Sequence, residues 1–165
     1  MKKLIFSLIG FGLSLGMYAQ IQLPEVEITA VNYKYLNSVD SGDNDLSVQM
    51  LEEQVAMYDL KNSDLYSDEY DTYTVSFYIP QGKILAAYDK NGKVIRTIER
   101  FKNIKLPKDV RNALATRFPN WDLDKDVYSV TYHTVGPNVK KQYKVKLTNG
   151  DEVVRVKINE EGDFL

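Results

Sequence analysis

Three carboxylates stand close together in the stretch YSDEYDTY, residues 66–73, and they are the first candidates for chemistry in this chain. Two carboxylates can share acid–base or nucleophilic work when their separation is fixed and one of them lies in an apolar setting. The sequence shows neither condition around Asp68, Glu69 and Asp71. Because runs of charge usually stay hydrated, we interpret this stretch as a solvated loop. A carboxylate-dependent hydrolase using the loop at 64–71 is the alternative.

His133 is the single histidine, and the chain has no cysteine. A histidine that activates a nucleophile needs partner groups, and zinc sites are built from several cysteines and histidines. A lone histidine at the end of a predicted strand is therefore expected on the surface. The lack of cysteine also excludes disulfides, thiol catalysis and a lipid-modified N-terminal cysteine. We expect no cofactor and no metal.

Two acidic turns, DSGDND at 40–45 and DKNG at 89–92, superficially resemble calcium loops. The twelve-residue calcium loop needs glycine at its sixth position and glutamate at its twelfth. In the first turn these positions hold Asp45 and Leu51, and in the second the glycine comes fourth. Turn and helix-cap chemistry accounts for both stretches, with loose calcium binding as the minor alternative.

Nucleotide chemistry is not indicated either. An adenylyltransferase would carry a His-x-Gly-His type of phosphate motif, whereas YHTVGP at 132–137 has one histidine and no second. The chain also lacks a glycine-rich loop of the G-x-x-x-x-G-K kind. The adenylyltransferase interpretation is rejected, and the chain is not expected to be an enzyme.

The first nineteen residues have the layout of a secretory signal peptide. Lys2 and Lys3 precede a short apolar run and a small-residue exit at Ala19. The run is too short for a membrane helix, which needs about 20 apolar residues. We expect cleavage after about Ala19, a periplasmic or secreted product, and no stable membrane insertion. The remainder has 19 basic and 23 acidic residues, and this balance shows no basic stripe for nucleic acid.

The first part of the mature chain, residues 20–45, is predicted to hold an edge strand at 23–31 and a polar loop at 37–45. A helix follows from residue 46, with Asp45 as its N-cap. Its predicted buried face contains Met50, Leu51, Val55 and Tyr58, and its predicted outer side contains Gln49, Glu52 and Glu53.

Strands are predicted from alternating apolar residues at 72–79 and from 84 to 98, with a hairpin turn at Asn91-Gly92. A second helix begins near Pro107 and ends at Pro119. Its predicted buried stripe is Val110, Leu114 and Phe118. Three more strands are predicted at 126–132, 141–147 and 152–158.

An internal repeat relates the two halves of the chain. At an offset of seventy, Tyr73 matches Tyr143 and Gly92 matches Gly162. The sequence therefore predicts two modules, 46–100 and 101–165, each a helix followed by antiparallel strands. Neither module could cover its apolar face alone, so we expect an α+β fold with one antiparallel sheet and both helices on one face, compact over 20–165.

The second half also resembles a known family. A helix that ends in Phe118-Pro119-Asn120-Trp121, followed by strand pairs and the turn at 159–162, is similar to the PepSY-like, beta-lactamase-inhibitor-like periplasmic proteins of Bacteroidetes. The resemblance is clearest over 101–165 and looser over 46–100. It implies a noncatalytic binding or inhibitory module of the cell envelope, and it provides no catalytic motif.

Tyrosine is abundant, and it suggests a binding face, because tyrosine gives large contact area for little entropy. Tyr73, Tyr88 and Tyr143 are predicted to lie in the core. The candidate binding residues, on the face away from the helices, are Tyr78, Tyr128, Tyr132, Lys144 and Lys146. The predicted function is binding or inhibition of an unknown envelope protein or peptide through this face. A hydrolase, or a structural component that pairs through a sheet edge such as 23–31, is the alternative.

Overall fold

The computed structural model describes residues 32–136 and 139–165. The predicted signal peptide and the predicted strand at 23–31 lie outside these ranges. Three helices are present: α1 is Tyr33–Val39, α2 is Leu46–Met57 and α3 is Lys108–Arg117. The strands are β1 (Thr72–Ile79), β2 (Gly82–Asp89), β3 (Val94–Lys102), β4 (Asp122–His133), β5 (Val139–Asn149) and β6 (Glu152–Ile158).

The six strands form one open sheet in the order of the sequence, and each strand pairs antiparallel with the next. Each half of the chain runs helix and then three strands: α2 precedes β1 to β3, and α3 precedes β4 to β6. The helices pack on the sheet, so the predicted α+β fold class is confirmed. No helix within the described ranges is long and apolar enough to cross a membrane.

Helix α2 begins where the sequence predicted, because Asp45 accepts a hydrogen bond from the Ser47 backbone N–H at 2.9 Å. The predicted buried face was only partly right. Leu51 and Val55 are buried, but Met50 is 53% exposed and Glu52 is buried. The helix is turned so that the Glu52 carboxyl points inward, towards Glu99.

Helix α1 was not predicted, and the predicted loop at 37–45 was wrong for residues 37–39, which belong to this helix. No side chain caps α1 at its N-terminus, so local sequence supplies little of its stability. Tertiary contacts stabilise it instead. The Tyr35 ring lies edge-on to Tyr132 at 5.2 Å between centroids, and the Tyr35 hydroxyl donates to Glu99.

Helix α3 has its predicted buried residues, Val110 and Leu114. The residue that follows its last turn is Phe118, whose ring contacts Trp121 at 6.1 Å and Phe164 at 6.0 Å between centroids. Trp121 is partly buried against the core, as a structural plug after the helix would be. The core therefore lies on one side of the sheet, between the strands and the three helices.

Candidate functional site

The side of the sheet away from the helices has no covering element among the described residues, and we call it the open face. Strand alternation decides which residues it holds, because cross-strand partners lie on the same side. Tyr78 pairs with Lys83, Leu85 with Ile98, and Lys144 with Lys157. All of these side chains are exposed.

Cations dominate the open face. Ten basic residues have this orientation by register: Lys83, Arg96, Arg100, Lys102, Lys125, Lys140, Lys144, Lys146, Arg155 and Lys157. Nine are exposed and Lys146 is half-buried. Of these ten cations, only Lys146 forms a salt bridge within the described ranges, and its partner is Asp124 at the end of the sheet. This hydrogen bond holds the pKa of Asp124 below its ordinary value.

A shallow depression of about 410 Å³ lies where β4, β5 and β6 meet on this face. Its cationic lining is Lys125, Lys144, Lys146, Arg155 and Lys157. Positive charge from three neighbouring strands therefore converges on one small area.

An apolar pair lies nearer the middle of the open face. Leu85 on β2 is directly opposite Ile98 on β3, and their side chains are 39% and 44% exposed. Arg100 and Lys83 form the next pair along the same two strands. An exposed apolar centre with a charged rim has the layout of a protein-binding surface.

Three of the five predicted binding residues lie on the open face: Tyr78, Lys144 and Lys146. The prediction that Tyr128 and Tyr132 are exposed there was wrong, since both are buried on the covered face. Their strand, VYSVTYH, alternates tyrosine and valine with serine and threonine, and this alternation turns Tyr128 and Tyr132 inward.

Most cations of the open face were missed by sequence reasoning. The signal was present as basic residues that share one side of a strand, in RTIERFK at 96–102 and in VVRVKI at 153–158. The expectation that the chain shows no basic stripe came from net charge. Pairing of the strands corrects it, because it places cations from separate segments side by side.

The covered face holds a different set of ionisable groups. The Glu99 carboxylate accepts hydrogen bonds from the Tyr35 hydroxyl at 3.0 Å and the Thr97 hydroxyl at 2.6 Å. Glu52 lies beside it, and both carboxyls are only 1% exposed. Burial, followed by the nearby Glu99 charge, raises the pKa of Glu52 to about 10, and burial also raises the pKa of Glu99.

This carboxyl pair is poorly placed for chemistry on a substrate. Glu52 and Glu99 each keep one buried oxygen without a hydrogen-bond partner among the described residues. At 1% exposure they cannot contact a bound molecule without movement of α2. Their position instead fixes α2 and α1 against β3.

A second polar cluster joins Ser41, Lys141 and Glu160. The Ser41 hydroxyl and the Lys141 ammonium lie 2.5 Å apart, and Lys141 forms an ion pair with Glu160 at 3.0 Å. Lys141 is held by both partners, so this cluster ties the loop after α1 to β5.

The remaining predicted candidates have structural roles. Asp45 and Asp43 accept backbone N–H groups of Lys105 and Lys108, and Asp89 accepts two N–H groups within its own turn. These contacts are turn and cap chemistry, as the sequence indicated for both calcium-like stretches. No group of three or more His, Cys, Asp or Glu side chains suited to a metal is found among the described residues.

The acidic loop and the histidine are both exposed. Asp68, Glu69 and Asp71 are exposed, so none of them lies in the apolar setting that one carboxyl of a catalytic pair needs. His133 is a surface residue at the end of β4, as predicted, and its Nδ1 accepts the Val135 backbone N–H at 3.2 Å.

Comparison with known proteins gives one solved structure to report. No family model and no curated protein matches this chain. The chain is similar to a BLIP-like protein from Bacteroides fragilis NCTC 9343, with 19% sequence identity and a TM-score of 0.33 over 60% of this chain and 68% of that one. The name agrees with the beta-lactamase-inhibitor-like part of the sequence resemblance. The PepSY-like part and the periplasmic type stay predictions.

Proposed function

We propose that this chain is an exported, noncatalytic protein of the cell envelope that binds another protein or a peptide through its open face. The observation that carries the proposal is the uncovered side of the six-stranded sheet, with Leu85 and Ile98 exposed inside a field of cations. Exposed apolar side chains gathered with charged neighbours are the usual composition of a binding surface.

The open face is large enough for a specific partner. Six strands spaced about 4.8 Å apart, with neighbouring strands paired over seven residues or more, cover a flat area of roughly 600 Å². Upright side chains give an accessible surface larger than this flat area. It therefore approaches the roughly 800 Å² per partner of a standard protein interface.

The distribution of ionisable groups supports a noncatalytic role. The groups that converge, Glu52 with Glu99 and Lys141 with Glu160, satisfy one another in the interior or in a loop contact. The carboxylates that water can reach, at 64–71, are scattered on a loop. Neither arrangement offers a base and an acid around an open position.

Site-specific photo-crosslinking tests the binding role directly. A benzophenone amino acid at Ile98 should give a discrete crosslinked species in cells of the source organism, because this position lies at the centre of the open face. The matched control is Met50, which is similarly exposed on α2. Equal or absent crosslinking at the two positions would contradict the proposal.

Export is tested separately. We expect the mature protein to begin near Gln20 and to appear in the periplasmic or culture fraction. Mass spectrometry of the purified native protein, with cell fractionation, measures both. A full-length protein in the cytoplasmic fraction would rule out the envelope location.

A further inference from the structure

We propose that the partner binds the open face through an extended acidic segment, whose carboxylates lie over the cation rows of β4, β5 and β6. This inference rests on the proposed function and specifies the chemistry of the partner. The occupant is a protein segment with Asp or Glu at alternate positions.

The cations of the second half form two rows across the strands. The first row contains Lys157 on β6, Lys144 on β5 and, past Val127 on β4, Lys102 on β3. The second row contains Arg155, Lys146 and Lys125. Charges therefore repeat about 5 Å apart across the sheet and about 7 Å apart along each strand.

An extended peptide has the same repeat. Side chains two residues apart in a strand point the same way and lie about 7 Å apart. A segment with acidic residues at alternate positions, lying parallel to β5, places one carboxylate over Lys144 and the next over Lys146. Its intervening side chains point away from the sheet.

Most charges of the open face have no carboxylate partner in the described parts of the protein. Nine of the ten cations form no salt bridge there, although the whole chain is slightly acidic, with 21 basic and 23 acidic residues. Surfaces without a binding role usually intersperse both signs, since like charges repel. A single-sign field attracts a partner of the opposite sign and raises its rate of association.

The apolar content of the face favours a protein over a nucleic acid. Single strands are bound on exposed aromatic rings that stack with bases. Among the described residues, the one exposed aromatic side chain that the register places on this face is Tyr78, on the edge strand β1 and three strands from the depression. The aliphatic pair Leu85 and Ile98 lies between them and suits the side chains of a protein.

Fluorescence anisotropy with defined peptides tests the proposal on the full mature chain. The probe is a labelled ten-residue peptide of alternating Glu and Thr, and the control probe replaces every Glu with Gln. We expect the acidic peptide to bind at low salt, to weaken as salt screens the charges, and to bind about tenfold or more tightly than the Gln peptide.

The variant is Lys144→Glu/Lys157→Glu, and the matched control is Lys90→Glu/Lys93→Glu at the β2–β3 turn, which makes the same charge change away from the rows. We expect about a tenfold loss of affinity in the first variant and little change in the second. Lys144→Gln/Lys157→Gln provides a milder version should the reversal disturb folding, which circular dichroism reports. Equal affinity in all variants, or tighter binding of a ten-nucleotide DNA than of the acidic peptide, would overturn the proposal.

The crosslinking experiment separates this proposal from the function on which it rests. Both variants carry the crosslinking amino acid at position 98, one with Lys144→Glu/Lys157→Glu and the other with Leu85→Asp. If the crosslinked species persists in the first variant but is lost in the second, the open face binds its partner by apolar contacts. The acidic-partner proposal is then wrong, while the proposed function holds. Loss of the species in both variants supports both.

Discussion

The two faces of the sheet place their ionisable groups in opposite environments, although both faces are built from alternate residues of the same strands. On the covered face, Glu99 is buried and accepts hydrogen bonds from Tyr35 and Thr97. On the open face, the flanking residues Ile98 and Arg100 are in water, and Arg100 has no carboxylate partner among the described residues. Folding gives the buried Glu99 two hydrogen-bond donors and leaves the basic groups of the open face available to a partner.

The difference shows why net charge was a poor guide to partners. Two of the acidic residues that make the chain slightly negative, Glu52 and Glu99, are inside the protein. Most others lie in loops and helices, whereas ten of the basic residues share one surface. The field that a partner meets depends on which side of a strand each charge occupies.

The largest expected effect on stability comes from comparing substitutions on the two opposite faces of β3. Phe101→Ala removes a fully buried ring that stacks on Tyr128 at 6.3 Å, so we expect a loss of about 3–5 kcal/mol in the free energy of unfolding. Ile98→Ala, on the open face, should cost less than about 1 kcal/mol. Urea unfolding measures both. Similar losses would mean that the two faces are not energetically distinct.

A second prediction concerns the pH dependence of the covered face. In the folded protein the pKa of Glu52 is about 10, against about 4.5 when unfolded, so the folded state holds a proton that the unfolded state releases. Stability is therefore greatest below about pH 4.5 for this group and falls as pH rises towards 10. We expect Glu52→Gln to remove much of this decline.

The comparison requires unfolding curves of the native protein and Glu52→Gln at pH 5 and pH 9. Near pH 5 the two should be close in stability, because the protonated carboxyl and the amide are both uncharged. At pH 9 the variant should be more stable by about 2 kcal/mol or more. Parallel pH profiles would show that Glu52 does not retain its proton.

Much of the fold was readable from alternation and caps. The strands, the stripe of α3 and the Asp45 cap follow from short-range signals, and the fold class followed from the helix and antiparallel strands predicted in each half. What failed depended on distant partners. Glu52 looked like a surface residue because the neighbour that makes its burial tolerable, Glu99, lies on another element.

The candidate site was only half predictable for a related reason. The alternation within β5 was enough to place Lys144 and Lys146 on the open face. The alternation within β4 would also have placed Tyr128 in the core, if the serine and threonine of that strand had been taken as its outward-facing residues. The cation rows need the register between strands, which connects Arg155 to Lys146 and Lys146 to Lys125. No local window of sequence contains that information.

A third prediction uses an acid that β4 turns inward. Asp126 is 3% exposed, and burial raises its pKa to about 6. Because the folded state binds this proton more tightly than the unfolded state does, stability falls as pH rises from about 4 to 6. Asp126→Asn keeps the side-chain oxygen that accepts the Ile104 N–H. The change in the free energy of unfolding caused by Asp126→Asn should therefore be more favourable at pH 7 than at pH 4, by about 1–2 kcal/mol.

The smallest expected effect comes from the neighbouring acid Asp124, and its sign is opposite. The Lys146 hydrogen bond lowers the pKa of Asp124, so its contribution is present above the unfolded pKa and disappears as pH falls through the lowered value. Asp124→Asn should slightly destabilise the protein at pH 7 and have no effect at low pH. It also frees Lys146, the one cation of the open face with a carboxylate partner among the described residues. The acidic peptide should then bind more tightly at pH 7, and anisotropy with Asp124→Asn measures that gain. An unchanged affinity would place Lys146 outside the contact.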